Sequence, residues 1–480
     1  MTEKQRQKNL SVPCGMVDVV LDTDAYNEID DQFAIAYLLK SKEKLRVKAI
    51  CAAPFHNARS NSPGDGMKKS YDEVIAMPRV PHQKPKKPNI FFRTLIRVLS
   101  AKDLIPIKFS IVRQDMERAG KGPYLILMNH SCFLDMEIAS AVFYPLPYGI
   151  VTTSDGFVGK DWLMRQIGCI PTQKFVSDLT LVRDMDYMLK KKKTSVLMFP
   201  EAGYSLDGRA TPLPRKMGGL LKLLKVPVVS IHVDGAFLRT PLYNALKSRK
   251  VPIRAEMKCL LTPEEIHEKS VEELDAILDE VFTFDHFKYQ KENNIRINSP
   301  DRAHGLERII YKCPHCLAEG KMKGEGEQLT CHACGKVWRM SELGEMEALD
   351  GNTEISHIPS WFEWERECVR RDIEEGNYAL ETDVEIAMLV DHKRIYVVGD
   401  GHLSHTKEGF VLTGCDGKLE YTQKPCASYS INSDYYFYER GDIISIGSRD
   451  CLYYCFPKDN TPVAKARLAA EELYKISAPE

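Results

Sequence analysis

Nowhere in its 480 residues does the chain hold an apolar run of the about 18 residues that a membrane-spanning helix needs. The opening stretch, Met1 to Asn9, is polar and charged, without the apolar centre of a secretory signal. A charge imbalance is missing as well. Lys and Arg number 66 against 67 Asp and Glu, so no global field draws the chain to nucleic acid and any basic surface has to be local. The 14 cysteines lack framework spacing: four form two Cys-x-x-Cys pairs and the rest are scattered, which excludes a secreted disulfide scaffold and suits a reducing compartment. From these absences a cytoplasmic or peripheral protein is expected.

The length exceeds what one hydrophobic core serves and predicts two to four domains. The stretch that organises them is an apolar strand, Tyr124 to Met128, running into Asn129-His130-Ser131-Cys132-Phe133-Leu134-Asp135 and a helical run, Met136 to Phe143. A histidine at a strand's mouth with an aspartate five residues on can take a proton from a hydroxyl while the carboxylate holds its tautomer. Residues i and i+5 do not share a helix face, so His130 has to lie in the turn before the helix to meet Asp135. Two further strands follow. Ser195 to Phe199 leads into Pro200-Glu201-Ala202-Gly203-Tyr204-Ser205, and Val226 to Val233 leads into Asp234-Gly235. His232 and Asp234, polar groups in an apolar setting, read as hydrogen-bonded core.

In order and spacing these blocks, over roughly Pro88 to Leu261, resemble the glycerolipid acyltransferase family, the lysophosphatidate acyltransferases and their relatives. The resemblance implies an α/β domain, residues 89–300, with helices flanking one mixed sheet. It implies His130 as general base and Asp135 as its partner, with an acyl group passing from acyl-CoA or acyl-carrier protein to a hydroxyl of glycerol 3-phosphate, lysophosphatidate or a related lipid. It also points to Asn129, Lys174, Glu201, Gly203, Ser205 and Arg209 as the acceptor and oxyanion region, with backbone N–H groups at the helix start or in the 201–203 loop meeting the developing charge. The family's third block usually reads Pro-Glu-Gly-Thr-Arg-Ser; here Tyr204 stands in the arginine's place. Block two, Gly168 to Lys174, likewise lacks its arginine, leaving Lys174, with Arg209, Arg215 and Lys216 nearby, as the basic candidates. With the phosphate grip altered, the alternative is a non-enzymatic adaptor built on a degenerate acyltransferase fold.

Ahead of this domain, residues 1–77 carry a different signature. A strand, Val17 to Leu21, ends in Asp22-Thr23-Asp24-Ala25-Tyr26-Asn27-Glu28-Ile29-Asp30-Asp31, followed by a helical run and a second strand, Val47 to Ala52. Clustered carboxylates at a strand end suit a hard cation. The stretch resembles the opening βαβ of the inosine–uridine-preferring nucleoside hydrolases, which implies Asp24 as base, Asp30 as ribose contact, and Asp24 and Asp31 at a calcium site. The match stops near Val74, so a partial unit without hydrolase activity is expected ahead of nucleoside hydrolysis. A Pro- and Lys-rich linker, 78–88, closes it.

Phe92, Leu95, Ile96 and Leu99 then fall on one helix face, and Lys84 to Lys121 holds ten Lys or Arg against three Asp or Glu. Such a helix either anchors on an anionic membrane or packs on its own core. Farther on, Cys313, Cys316, Cys331 and Cys334 form two knuckles separated by fourteen residues. Four thiolates on tight turns match tetrahedral zinc in a closed, structural site within a ribbon, 301–345. The mixed charges around it argue against nucleic acid and for a scaffold or protein contact. In the last part, 346–480, a charged helix (Trp361 to Arg371) precedes short strands separated by Gly-containing turns. These suggest a small antiparallel β-barrel, and with the closing helix, Pro462 to Ile476, the outline is similar to pleckstrin-homology-like domains. It offers a surface for a lipid headgroup or a protein partner.

Overall fold

The computed structural model describes residues 15–27, 29–41, 43–76, 82–176, 178–214, 217–245, 247–448 and 451–477. Met1 to Asn9, Glu28, part of the linker, Arg215 and Lys216 lie outside the described residues. The chain divides into two compact units, residues 1–84 and 85–480.

In the first unit, strand β1 (Val17–Thr23) and strand β2 (Leu45–Ala52) pair in parallel, joined by the helix Ile29–Lys40 and followed by the helix Pro63–Ala76. This is a right-sized βαβ step, yet a two-stranded sheet offers little to bury against. Val20, Phe33 and Tyr37 are left exposed while Ala25 and Ile35 are buried.

The second unit contains a seven-stranded mixed sheet in the order β3 (Ser110–Gln114), β9 (Arg254–Leu261), β8 (Val228–Asp234), β4 (Leu125–Met128), β7 (Ser195–Met198), β5 (Tyr148–Thr153), β6 (Cys169–Thr172). All neighbours are parallel except β8 and β9. Every residue of β4 is buried, as a central strand covered on both faces requires. Register aligns Leu127 with Met198 on β7 and Met128 with Ile231 on β8. The loops leaving β4, β7 and β8 therefore emerge at one edge of the sheet, where open α/β sheets hold their ligands.

The four thiols of the ribbon frame a four-stranded antiparallel sheet, β10 (Met322–Glu325), β11 (Gln328–Cys331), β12 (Val337–Met340) and β13 (Met346–Ala348). Its Trp338 meets Trp361 of the helix Ile358–Glu374 edge-to-face at 5.2 Å. A second seven-stranded sheet follows: β14 (Leu380–Leu389), β15 (Tyr396–Thr406), β16 (Gly409–Gly414), β17 (Leu419–Gln423), β18 (Asn432–Phe437), β19 (Gly441–Gly447) and β20 (Leu452–Pro457). Its order is β17-β16-β15-β14-β20-β19-β18, antiparallel throughout. Among the described residues the end strands β17 and β18 do not pair, so the ladder is continuous but not closed into a hydrogen-bonded barrel.

The helix Val463–Ser477 closes this sheet and is clamped to the helix Ile358–Glu374 by Arg366, which meets Glu471 at 2.7 Å and Glu472 at 3.0 Å. One hydrophobic cluster runs from Leu206 and Phe237 through Cys331, Trp338 and Trp361 to Leu473. That shared core is why the three sequence regions after residue 85 form a single unit.

Candidate active site

His130 sits in the turn between β4 and the helix Asp135–Phe143. Its Nδ1 lies 2.9 Å from Asp135 Oδ2, and that oxygen also accepts the main-chain N–H groups of Ser131 (2.8 Å) and Cys132 (3.2 Å). An ionised carboxylate only accepts, so Nδ1 carries the ring proton and Nε2 presents its lone pair. Nε2 has no partner among the described residues, and the side chain keeps 15% of its surface exposed, enough to meet a ligand.

The ring lies between Phe199, at 3.9 Å between centroids, and Tyr204, at 4.0 Å. Burial pulls the His130 pKa below its usual value, with the Asp135 hydrogen bond opposing it. Glu201, fully buried, holds the turn from the next strand: Oε2 accepts the His130 N–H at 2.8 Å and Oε1 that of Thr211 at 3.0 Å. Burial pushes the Glu201 carboxyl up to about 8 against the pull of those two amides.

Residues 109–234 match the family model described as Acyltransferase. They form an acyltransferase domain. Among solved structures, the crystal structure of the 1-acyl-sn-glycerophosphate (LPA) acyltransferase PlsC from Thermotoga maritima is similar at 17% identity and a TM-score of 0.32, covering 43% of this chain and 81% of that one. No curated protein matches the chain.

The acyltransferase domain does not bring all of its expected site residues to the cavity that His130 lines. Asn129 is buried, pairing through Oδ1 and Nδ2 with the Val233 N–H and C=O, so it ties the turn to β8 and is no oxyanion donor. Ser205 is buried too. Its hydroxyl donates to the Arg209 carbonyl (2.6 Å) and accepts from Gly208, which closes the loop. Arg209 is held by Asp207 at 2.8 Å and Glu363 at 3.1 Å and is not among the lining residues. These three roles are corrected by the same cause: each polar group is consumed by contacts within the protein.

The expected donors at the helix start are corrected likewise, because Asp135 takes the Ser131 and Cys132 amides. The Gly203 amide, in the other expected place, has no acceptor among the described residues. Lys174 does reach the cavity, where it is the one cation among the described lining residues; its Nζ donates to Asn432 Oδ1 at 3.1 Å and sits 5.7 Å from the Tyr204 ring.

The cavity holds about 490 Å³ and is walled on one side by the acyltransferase domain, through Met136, Val151, Leu181, Met198 and Phe199. The C-terminal module forms the other side with Ser428, Tyr429 and Tyr474. This second wall was invisible in the sequence, since no spacing rule links Lys174 to Asn432. Also missed was His286, buried against Ser131 Oγ at 3.4 Å and pushed down to about 4 by its burial. His232 and Asp234 pair at 3.1 Å beside it.

At the ribbon, the Cys313, Cys316, Cys331 and Cys334 sulfurs all lie within 4.8 Å of one another, with 313–334 at 3.9 Å and 316–331 at 3.7 Å. A tetrahedron with metal–sulfur bonds of about 2.3 Å has edges of about 3.8 Å, so the set fits zinc and leaves no open position. In the first unit, Asp31 Oδ2 accepts from Thr23 Oγ1 (2.7 Å) and the Asp24 N–H (3.0 Å), while Asp24 accepts from Asn27. Among the described residues Asp24, Asp30 and Asp31 do not assemble into a metal-ligating group.

Proposed function

We propose that the protein is an enzyme that moves a fatty acyl group from a thioester donor, acyl-CoA or acyl-carrier protein, to a hydroxyl of glycerol 3-phosphate, lysophosphatidate or a related lipid. The observation that carries this reading is the His130–Asp135 pair, held at 2.9 Å with Nε2 unpartnered beside a largely apolar cavity. His130 Nε2 takes the proton of the acceptor hydroxyl as its oxygen bonds to the thioester carbonyl carbon. The oxyanion of the resulting tetrahedral intermediate calls for a main-chain N–H from the 201–203 loop. Collapse breaks the C–S bond, and the departing thiolate receives the proton from the imidazolium, leaving ester and free thiol. Asp135 stabilises that imidazolium and fixes the tautomer throughout. Cys313, Cys316, Cys331 and Cys334 would hold a zinc ion in a closed site, where it would supply folding energy to the ribbon.

The substrate's chains enter from an anionic membrane surface. No helix among the described residues is long and apolar enough to cross a membrane. On the helix Ile90–Leu104, Phe92 and Ile96 of the expected face are half-buried, Phe92 against Trp162, while Leu95 and Leu99 of that face are exposed together with Phe91 and Val98; this exposed side supports interfacial docking. Supplying purified protein with a long-chain acyl-CoA and lysolipid acceptors in anionic vesicles, and weighing the lipid products by mass spectrometry, tests the reading. Acylated acceptor supports it; an intact thioester, or free fatty acid alone, counts against it.

A further inference from the structure

Most of the donors expected around His130 are spent inside the protein. Asp135 takes the Ser131 and Cys132 amides, Asn129 binds β8, and the Ser205 hydroxyl closes its own loop. Tyr204, in the place where the third block usually carries an arginine, is arranged differently. Its ring lies on the His130 imidazole at 4.0 Å between centroids with a tilt of 33°, and Phe133 packs on it at 5.4 Å. Because Phe199 covers the imidazole's other side at 3.9 Å, a substrate reaches Nε2 along the edge of the ring, beside Tyr204.

The Tyr204 hydroxyl has no hydrogen-bond partner among the described residues, and its oxygen is not sealed from solvent. The residue lines the same cavity as His130, so an unspent donor stands at the edge of the space where the reaction takes place. Burial, reinforced by the charges of Asp135 and Asp434, holds the phenol well above its ordinary range and keeps it an O–H.

Of the substrate atoms that come near Nε2, one has use for such a donor. On the attacking oxygen it would tie up electrons needed for the new bond, and the thioester sulfur is a weak acceptor. The carbonyl oxygen gains charge as its π bond opens, so a fixed neutral donor there strengthens in the transition state.

We propose that the Tyr204 hydroxyl is a catalytic donor to the thioester carbonyl oxygen, forming the oxyanion site together with a main-chain N–H of the 201–203 loop. The proposal rests on the acyl-transfer reading of His130. The π electron pair moves onto the carbonyl oxygen as the acceptor oxygen bonds to carbon, and it returns when the C–S bond breaks and the thiolate leaves. Tyr204 gives a hydrogen bond through both steps and no proton; the proton travels by way of His130. One aromatic residue thus shields the base and carries the donor.

Tyr204→Phe removes the hydroxyl and keeps the ring on His130. The full chain, as wild type, Tyr204→Phe and His130→Ala, is given one long-chain acyl-CoA and the lysolipid acceptor that becomes acylated in the vesicle assay. Thiol release yields kcat, and KM for donor and acceptor separately; thermal unfolding reports the fold. The expected result for Tyr204→Phe is a kcat about 10²-fold lower, with both KM values within about threefold and Tm unchanged, the loss of a donor used in the transition state. A fall in kcat of less than about tenfold overturns the donor proposal while leaving acyl transfer standing. So does a loss carried mainly by the acceptor KM, which would put the hydroxyl on the acceptor instead. Absence of any His130-dependent thiol release overturns the acyl-transfer reading, and the donor proposal with it.

Discussion

The Glu201 carboxyl group accepts the main-chain N–H of His130 at 2.8 Å, joining the loop after β7 to the turn after β4 across the sheet edge. The glutamate of the third block thus positions the histidine through its backbone. Glu201→Gln keeps one carbonyl oxygen but turns an NH₂ group toward an N–H donor. We expect a stability loss of about 1–3 kcal/mol and a lower kcat with little change in KM, measured by thermal unfolding and steady-state kinetics. A change in KM alone would place Glu201 on the substrate instead.

The raised Glu201 carboxyl also sets a pH trend. Its folded value of about 8 exceeds the ordinary 4.5, so the folded state keeps the proton through that window. The contribution to stability is complete below about 4.5 and is lost as pH rises toward 8. Tm measured across that range should decline less steeply in Glu201→Gln than in the wild type.

For catalysis the sign runs the other way. His130 acts as base only when neutral, and burial lowers its pKa from 6.5. The acid limb of kcat/KM is therefore expected below pH 6.5. Because Asp135 favours the charged ring, Asp135→Asn should move that limb still lower while cutting kcat by about 10²–10⁴-fold. A limb that stays put in the variant would assign it to another group.

Gly203 has an amide without an acceptor among the described residues and needs nothing that only glycine can give. An added Cβ would meet Phe175 Cζ at 3.6 Å and Arg467 Nη1 at 4.0 Å, ordinary contacts, and its φ is not among the positive values. Gly203→Ala is expected to retain activity within about threefold. A loss beyond about tenfold would show that the loop has to move through a backbone state alanine cannot reach.

A metal held by the Cys₄ set would serve the fold, since four thiolates leave it no open position. Cys331 and Trp338 belong to the core cluster that reaches the closing helix. Metal analysis is expected to find one zinc per chain, and Cys331→Ser to lower Tm by about 10 °C or more, since a structural zinc contributes several kcal/mol to a fold of this size. An unchanged Tm would detach the ribbon from the cavity wall.

What the sequence made legible was local. The alternation of apolar strand and motif named the β4, β7 and β8 ends, and the five-residue gap from His130 to Asp135 demanded a turn, which the chain makes. The two Cys-x-x-Cys knuckles needed only their own spacing. Roles assigned by block membership fared differently: Asn129, Ser205 and Arg209 carry polar groups, but whether a polar group meets a ligand or the protein itself is decided by hydrogen bonds that no motif records. The second wall of the cavity was out of reach for a related reason. Tyr429 and Asn432 lie more than 250 residues from Lys174, and the aromatic cluster around them has the pattern of a sheet core, which Tyr435 and Tyr454 indeed are.

Thiol release from acyl-CoA by the wild type and by His130→Gln decides whether His130 is the base of an acyl transfer. Its loss as the base is expected to cost about 10²–10⁴-fold with Tm unchanged, the contribution of a positioned general base. Thiol release within about threefold of the wild type, from a folded variant, would contradict it.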